Sequence, residues 1–188
     1  MIIGIKEKER VVLGFAYWAL PEVNDRDKVL EDNLPIKVFK DEGVVIACAE
    51  RKITSDMLFA DENIEKMIKE GKTTYEDVVN DFAPMIHDRI AKENLLLDDG
   101  KWSNCFVVAK GNSVVDVTPS FFVQDVADFF VHGFTTEYSK SNLLYSEGKS
   151  AEERIIEALR FHTQMTSDHM SPIVLIDTKD FQMKVITE

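Results

Sequence analysis

Strand-like segments occur in neighbouring pairs along this chain, and pairs of helix-like segments separate them. The strands are runs of β-branched and aliphatic residues, and the helices are marked by apolar residues that recur every three or four positions. In order, the pattern predicts two hairpins, two helices, a group of strands, two more helices and a closing hairpin. No strand–helix–strand repeat occurs, which argues against a parallel sheet. We therefore expect antiparallel sheets in an α+β fold.

The first hairpin joins residues 1–5 to residues 11–16 through a charged turn. The other predicted strands cover residues 36–40, 44–49, 105–109, 113–117, 121–123, 129–131, 172–177 and 181–186. Several are apolar at nearly every position, as at residues 44–49, which is typical of a strand covered on both faces. A second sheet on one face and helices on the other would provide that cover. The expected architecture is a four-layer αββα sandwich that forms a single domain of residues 1–188.

Capping signals place the first two helices after the second hairpin. Residues 54–56, Thr-Ser-Asp, predict the start of a helix that ends near Gly71. Residues 73–76 match a capping box that opens the next helix, and Pro84 is expected to kink or split it.

The two later helices are expected over residues 136–145 and 150–166, and residues 150–153 again match a capping box. Between the first two hairpins, the charged stretch at residues 20–33 predicts a surface excursion.

Charge and cysteine use limit the possible partners and compartment. The net charge of −12 argues against binding nucleic acid or an anionic membrane surface, although a basic protein partner remains compatible with it. No apolar run approaches the roughly 20 residues that a membrane helix needs, and the charges from Lys6 onward argue against a signal peptide. Cys48 and Cys105 lie within apolar runs and are predicted to be buried free thiols, which fits a reducing cytoplasm.

The sequence gives no sign of a bound metal or cofactor. Its four histidines lack metal-ligand spacing, and it has no glycine-rich phosphate loop or dinucleotide fingerprint. These histidines are His87, His132, His162 and His169. We expect neither a metal nor a cofactor.

Six short motifs follow one another along the chain. They are MII (1–3), VVLGFA (11–16), KV (37–38), VIACA (45–49), HGFTTEYSKSNL (132–143) and DHMS (168–171). In this order they resemble the proteasome β-subunit and HslV branch of the N-terminal-nucleophile (Ntn) hydrolases. The family's first strand begins with a catalytic threonine, to which Met1 corresponds here. The resemblance identifies Lys37 with the basic residue beside the nucleophile, which lowers the pKa of the nucleophile's amine.

The resemblance also implies roles for the later motifs. Strand 45–49 corresponds to the strand that lines the specificity pocket, and residues 132–143 are similar to the glycine-serine turn that opens the third helix. The implied pocket residues are Val45, Ala47, Cys48 and Ala49. Asp168 and Ser171 resemble the aspartate and serine, three apart, that support the site after the last helix.

Two departures from the family pattern affect the expected chemistry. No Thr, Ser or Cys begins the first strand, and with Ile2 next to it Met1 is expected to be retained. An Ntn nucleophile combines a hydroxyl or thiol with a free α-amine, and a methionine thioether cannot attack. In addition, the aspartate that follows the family's second strand falls on Ala16 or Tyr17.

These observations favour a cytoplasmic, self-assembling subunit of the proteasome or HslV type, with degenerate peptide hydrolysis. Two alternatives stay open. The chain could be an active amidohydrolase or peptidase with another nucleophile, Cys48 first, or it could be a module that binds a peptide or small molecule.

Overall fold

The computed structural model describes residues 1–18, 35–49, 52–97, 99–101, 104–133, 135–166 and 170–187. The predicted surface excursion at residues 20–33 lies outside these ranges. The chain divides into two compact units, which are described one at a time. The first comprises the described residues of 1–34 and 127–188, and the second those of 35–126.

Ten strands and six α-helices are present in the described residues. The strands are β1 (Ile2–Lys6), β2 (Val11–Trp18), β3 (Ile36–Phe39), β4 (Val44–Ala49), β5 (Cys105–Lys110), β6 (Ser113–Val117), β7 (Val123–Asp125), β8 (Phe129–His132), β9 (Met170–Asp177) and β10 (Lys184–Ile186). The helices are α1 (Lys52–Phe59), α2 (Glu62–Lys69), α3 (Tyr75–Asp77), α4 (Ala83–Lys92), α5 (Glu137–Tyr145) and α6 (Ala151–Thr166). A π-helical turn, Val78–Phe82, joins α3 to α4.

The first unit contains an antiparallel sheet in the order β10-β9-β2-β1-β8, with helices α5 and α6. The predicted first hairpin is confirmed, with Ile2 opposite Phe15 and Ile5 opposite Val12. One face of the sheet packs on the two helices through a cluster of buried apolar side chains. This cluster consists of Ile3, Ile5, Val12, Ala16, Val131, Leu143, Ala151, Ile155, Ala158, Leu159, Ile173 and Leu175.

Helix α6 approaches β2 closely because Gly14 has no side chain. A Cβ at Gly14 would overlap Ile155 Cγ2 on the helix and would also lie 3.1 Å from Leu175 Cδ2. The predicted capping box of this helix is confirmed. Ser150 Oγ accepts from the Glu153 N–H (3.3 Å), while the Ser150 N–H donates to the Glu153 carboxylate (3.0 Å).

The second unit contains an antiparallel sheet in the order β3-β4-β5-β6-β7, together with helices α1 to α4. Its core joins side chains from one face of the sheet to the apolar faces of the helices. Fully buried members include Val44, Ile68, Phe82, Ile86 and Phe106.

The predicted helix over residues 54–71 is wrong in two respects. Two helices, α1 and α2, occupy this stretch, and residues 54–56 lie inside α1 instead of capping it. The break falls at Asp61, whose side chain accepts from the Asn63 N–H (2.9 Å) and caps α2. The apolar spacing continues across this break, which is why the sequence suggested one helix.

The segment that follows Thr74 is not one regular α-helix, because a π-helical turn separates α3 from α4 just before Pro84. The N-cap is Thr74, and it forms the reciprocal capping box with Asp77, one position later than predicted. A proline removes one N–H and its ring clashes with the carbonyl four residues earlier. The π-helical turn Val78–Phe82 directly precedes α4, and the proline occupies the first turn of α4.

Candidate functional site

Met1 extends the pairing of β1 with β2 by one residue. Its nitrogen donates to the Ala16 carbonyl (3.3 Å), and the Ala16 N–H donates to the Met1 carbonyl (3.2 Å). Such an exchange of two hydrogen bonds is a regular antiparallel pair. Ala16 is one of the two positions to which the family's aspartate would correspond, and its methyl side chain is buried in the helix-facing core.

The Met1 side chain packs against the same core as Ile3, on the face that carries α5 and α6. The Ser139 hydroxyl, on α5, lies 3.3 Å from Met1 Sδ and 3.3 Å from the Ala158 carbonyl on α6. Ser139 itself is wholly buried. A thioether is a weak acceptor with no proton to lose, so the contact holds the side chain without making it a nucleophile.

Gly133 lies close to the main chain of Met1. Its φ is 137°, and a Cβ there would lie 3.1 Å from Met1 Cα. Gly133 and Ser139 both belong to the motif at residues 132–143 that resembles the glycine-serine turn. The sequence contained both residues within that motif, but it did not indicate which of its serines lies next to Met1.

Lys37 lies on β3 in the second unit, and its side chain contacts the helical segment α1–α2. Its Nζ donates to the Phe59 carbonyl (2.8 Å) and to Glu65 Oε2 (3.3 Å), and it lies 5.1 Å from the centroid of the Phe39 ring. Glu65 also accepts from Lys69 at 2.6 Å. Hydrogen bonds from Lys69 and then from Lys37 lower the pKa of the Glu65 carboxyl, which keeps it ionised.

The predicted pocket residues on β4 do not share one face. Successive side chains on a strand point to opposite sides, and Cys48 belongs to the helix-facing core with Val44 and Ile46. Val45, Ala47 and Ala49 point to the opposite face and are also buried. Cys48 therefore lies on the opposite face of β4 from the other three residues of the expected pocket.

Cys48 has the environment of an inert core thiol. It is 1% exposed and lies opposite Phe106, another member of the helix-facing core. Burial raises the pKa of the Cys48 thiol well above its usual value, because the thiolate would lose its hydration. Cys105 is also a buried free thiol, as the sequence predicted.

Two predicted site residues remain, Asp168 and Ser171. Asp168 lies outside the described residues, and for Ser171 the structure gives its place in β9 but not its side chain. Within the described part of the chain, no group of three or more His, Cys, Asp or Glu side chains could hold a metal ion. No described helix has the length and apolar character needed to cross a membrane.

No protein family and no curated protein matches this sequence. Solved structures do match it over nearly its whole length. One is Anbu, an ancestral β-subunit, from Yersinia bercovieri, with a TM-score of 0.70 at 8% identity, covering 100% of this chain and 87% of that one. Another is the BPH protein of Thiobacillus denitrificans, with a TM-score of 0.65 at 9% identity, covering 96% of this chain and 98% of that one.

A third match is HslV from Trypanosoma brucei, with a TM-score of 0.59 at 16% identity, covering 100% of this chain and 99% of that one. At such identities the similarity shows the fold alone. The chain has an HslV- and proteasome-like Ntn-hydrolase fold, and the predicted α+β class with two antiparallel sheets and helices is confirmed.

Proposed function

We propose that this chain is a cytoplasmic proteasome- or HslV-like subunit that forms homo-oligomers and in which peptide hydrolysis is degenerate. Its 188 residues would act as one domain. Lys37, Asp168 and Ser171 would be remnants of the ancestral site, and a basic protein partner would be compatible with the net charge of −12.

The observation that carries this proposal is the chemistry available at the start of β1. Residues 1–6 contain no hydroxyl or thiol side chain. The side chain at position 1 is a thioether held by Ser139, and its main chain is paired with Ala16. The attacking groups of covalent catalysis are hydroxyls, thiols, amines, carboxylates, imidazoles and phenols, and a thioether is none of these.

Lys37 supports the same proposal from the second unit. Its ammonium donates to the Phe59 carbonyl and to the ionised Glu65 carboxylate. A neighbouring carboxylate cancels much of the field that an ammonium exerts on more distant groups. The positive charge of Lys37 is thus largely compensated by Glu65, between β3 and α2.

Native mass spectrometry and a peptidase assay on one purified sample test the proposal. We expect an assembly whose mass is a multiple of the 21.5 kDa subunit and no hydrolysis of fluorogenic peptides above the buffer control. A strictly monomeric protein would contradict the self-assembly, and hydrolysis blocked by an active-site-directed reagent would contradict the loss of catalysis.

The same assay separates the alternatives. If hydrolysis is found, Cys48→Ala decides whether Cys48 is the nucleophile, and Cys105→Ala is the matched control because it removes a second buried thiol. The raised pKa of Cys48 argues against its acting in this way. A small molecule or peptide released on denaturing the purified protein would favour the binding-module alternative.

A further inference from the structure

The Met1 side chain contacts a short helix that is also held by α6, where Arg154 donates to the Leu143 carbonyl (3.0 Å). Helix α5 is nine residues long, and its buried residues are Ser139 and Leu143. Isolated helices shorter than about 12 residues are marginal in water. Its N-cap, Thr136, makes no side-chain capping hydrogen bond. The position of α5 therefore depends on its tertiary contacts.

One of these contacts converges on Met1. The Ser139 hydroxyl lies 3.3 Å from Met1 Sδ and 3.3 Å from the Ala158 carbonyl, so a single buried hydroxyl joins the residue before β1, α5 and α6. The Met1 side chain also packs on the cluster that contains Leu143, the other buried residue of α5.

Two apolar side chains at the end of α5 are exposed. Tyr145 is 91% exposed and Leu144 is 60% exposed. Tyr138, next to Ser139 in sequence, places its ring edge-on to Phe161 of α6, with 6.5 Å between the ring centroids. A shift of α5 would change how these side chains are presented to solvent.

We propose that Met1 is a conformational tether: its side chain, packed against Ser139 and the cluster that contains Leu143, helps to fix α5 on α6 and so sets the presentation of the apolar side chains of α5. Position 1, where the family carries its nucleophile, would then have a structural role in this chain. This role would hold for a monomer as well as for an assembly.

Amide hydrogen exchange on the purified full-length chain tests the tether. Variants at position 1 would be released from a cleavable N-terminal fusion, with a reference protein carrying Met1 prepared in the same way. Met1→Ala should accelerate exchange about tenfold in residues 137–145, because both the contact with the Ser139 hydroxyl and the packing on the core are lost. Met1→Leu keeps most of the packing and should give a smaller acceleration at the same amides.

A matched control and a double-mutant cycle test whether the effect is specific to the contact between Met1 and Ser139. Met165→Ala makes the same chemical change at a half-exposed methionine of α6 and should leave α5 unchanged. Ser139→Ala should also accelerate exchange in α5, and Met1→Leu should add nothing further in that background.

Two results would overturn the tether. One is exchange in α5 that is unaffected by Met1→Ala. The other is acceleration spread equally over β1, β2 and β9, which would indicate a loss of overall stability and no particular link to α5. If Met1→Ala fails to fold, Ser139→Ala with and without Met1→Leu decides by the same criteria.

Discussion

Arg10 and Asp177 lie 167 residues apart in the sequence and form an ion pair with 2.8 Å between Nη1 and Oδ2. The same guanidinium contacts Glu7 at 2.7 Å and Glu152 at 2.9 Å. Arg10 thereby joins the β1–β2 turn to the first turn of α6 and to the end of β9. One cation compensates three carboxylates in a region that is only partly exposed.

Replacing Arg10 should destabilise the protein more than the loss of an ordinary surface charge. Arg10→Met keeps the aliphatic stem but leaves three carboxylates close together, and we expect a loss of about 2 kcal/mol, between the values for exposed and buried pairs. Urea denaturation measures it. Lys66→Met is the control, because its pair with Glu70 spans 3.9 Å on an exposed helix surface and its loss should cost less than about 0.5 kcal/mol. Equal effects of the two variants would contradict the prediction.

Asp177 should make stability fall on acidification. Burial would raise the pKa of its carboxyl, but hydrogen bonds from the Asp180 and Lys179 N–H groups and from Arg10 outweigh burial and lower the pKa. A carboxyl with a lower pKa in the folded state stabilises the protein above its unfolded pKa, and this contribution is lost as the pH falls through the folded pKa. In urea denaturation at a series of pH values from 7 to 3, Asp177→Asn should lose less stability than the wild type. A steeper loss of stability on acidification in the variant would contradict the prediction.

Gly14→Ala should destabilise the first unit through overlap with α6. The added methyl would meet Ile155 Cγ2, and overpacking of this kind costs about 1–3 kcal/mol. In the double variant with Ile155→Ala the overlapping atom is absent, so the two changes should cost less together than the sum of their separate effects. Unfolding midpoints of the single and double variants measure this coupling, and strict additivity would exclude the overlap as the cause.

Lys37 should matter for stability more than the carboxylate it contacts. Lys37→Met removes the donor to the Phe59 carbonyl, for which we expect a loss of about 1–2 kcal/mol. Glu65→Gln keeps the shape of the side chain and removes a charge that is well exposed, so its cost should be smaller than that of Lys37→Met. Chemical denaturation of both variants gives the comparison. A larger effect of Glu65→Gln would show that the ion pair, and not the carbonyl contact, dominates.

Neither cysteine should react while the protein is folded. Cys48 and Cys105 are buried, and burial raises the pKa of the Cys48 thiol, so little thiolate is available to an alkylating reagent. Mass spectrometry after treatment at pH 8 should show no modification in buffer and two modifications in urea. Rapid labelling of Cys48 in the folded protein would instead support the alternative in which it acts as a nucleophile.

The positions of most strands along the chain could be predicted well because they depend on local patterns. Charged turns and apolar runs delimit the first hairpin without any knowledge of its partners. The boundary between α1 and α2 could not be predicted in the same way, because Asp61 interrupts the helix without a glycine or proline nearby and the apolar spacing continues past it.

The contacts of the candidate site were harder to predict, for two physical reasons. Ser139 meets Met1 across 138 residues of sequence, and no local pattern encodes such a distance. On β4 every residue from Val44 to Ala49 is apolar. The sequence therefore lacks the alternation of apolar and polar residues that would have shown that Cys48 and its neighbours point to opposite faces.

The place of β1 inside its sheet determines the order in which the protein can complete its structure during synthesis. Its neighbours are β2 and β8, and β2 in turn pairs with β9, which begins at Met170. The second unit draws all its described strands from residues 35–126 and can close its sheet as soon as these have emerged. Until β8 and β9 have been synthesised, both edges of the β1–β2 hairpin are unpaired, and unpaired strand edges promote aggregation. Pairing between segments so far apart in sequence is also slow, so the sheet begun by the first residues is the last to be finished.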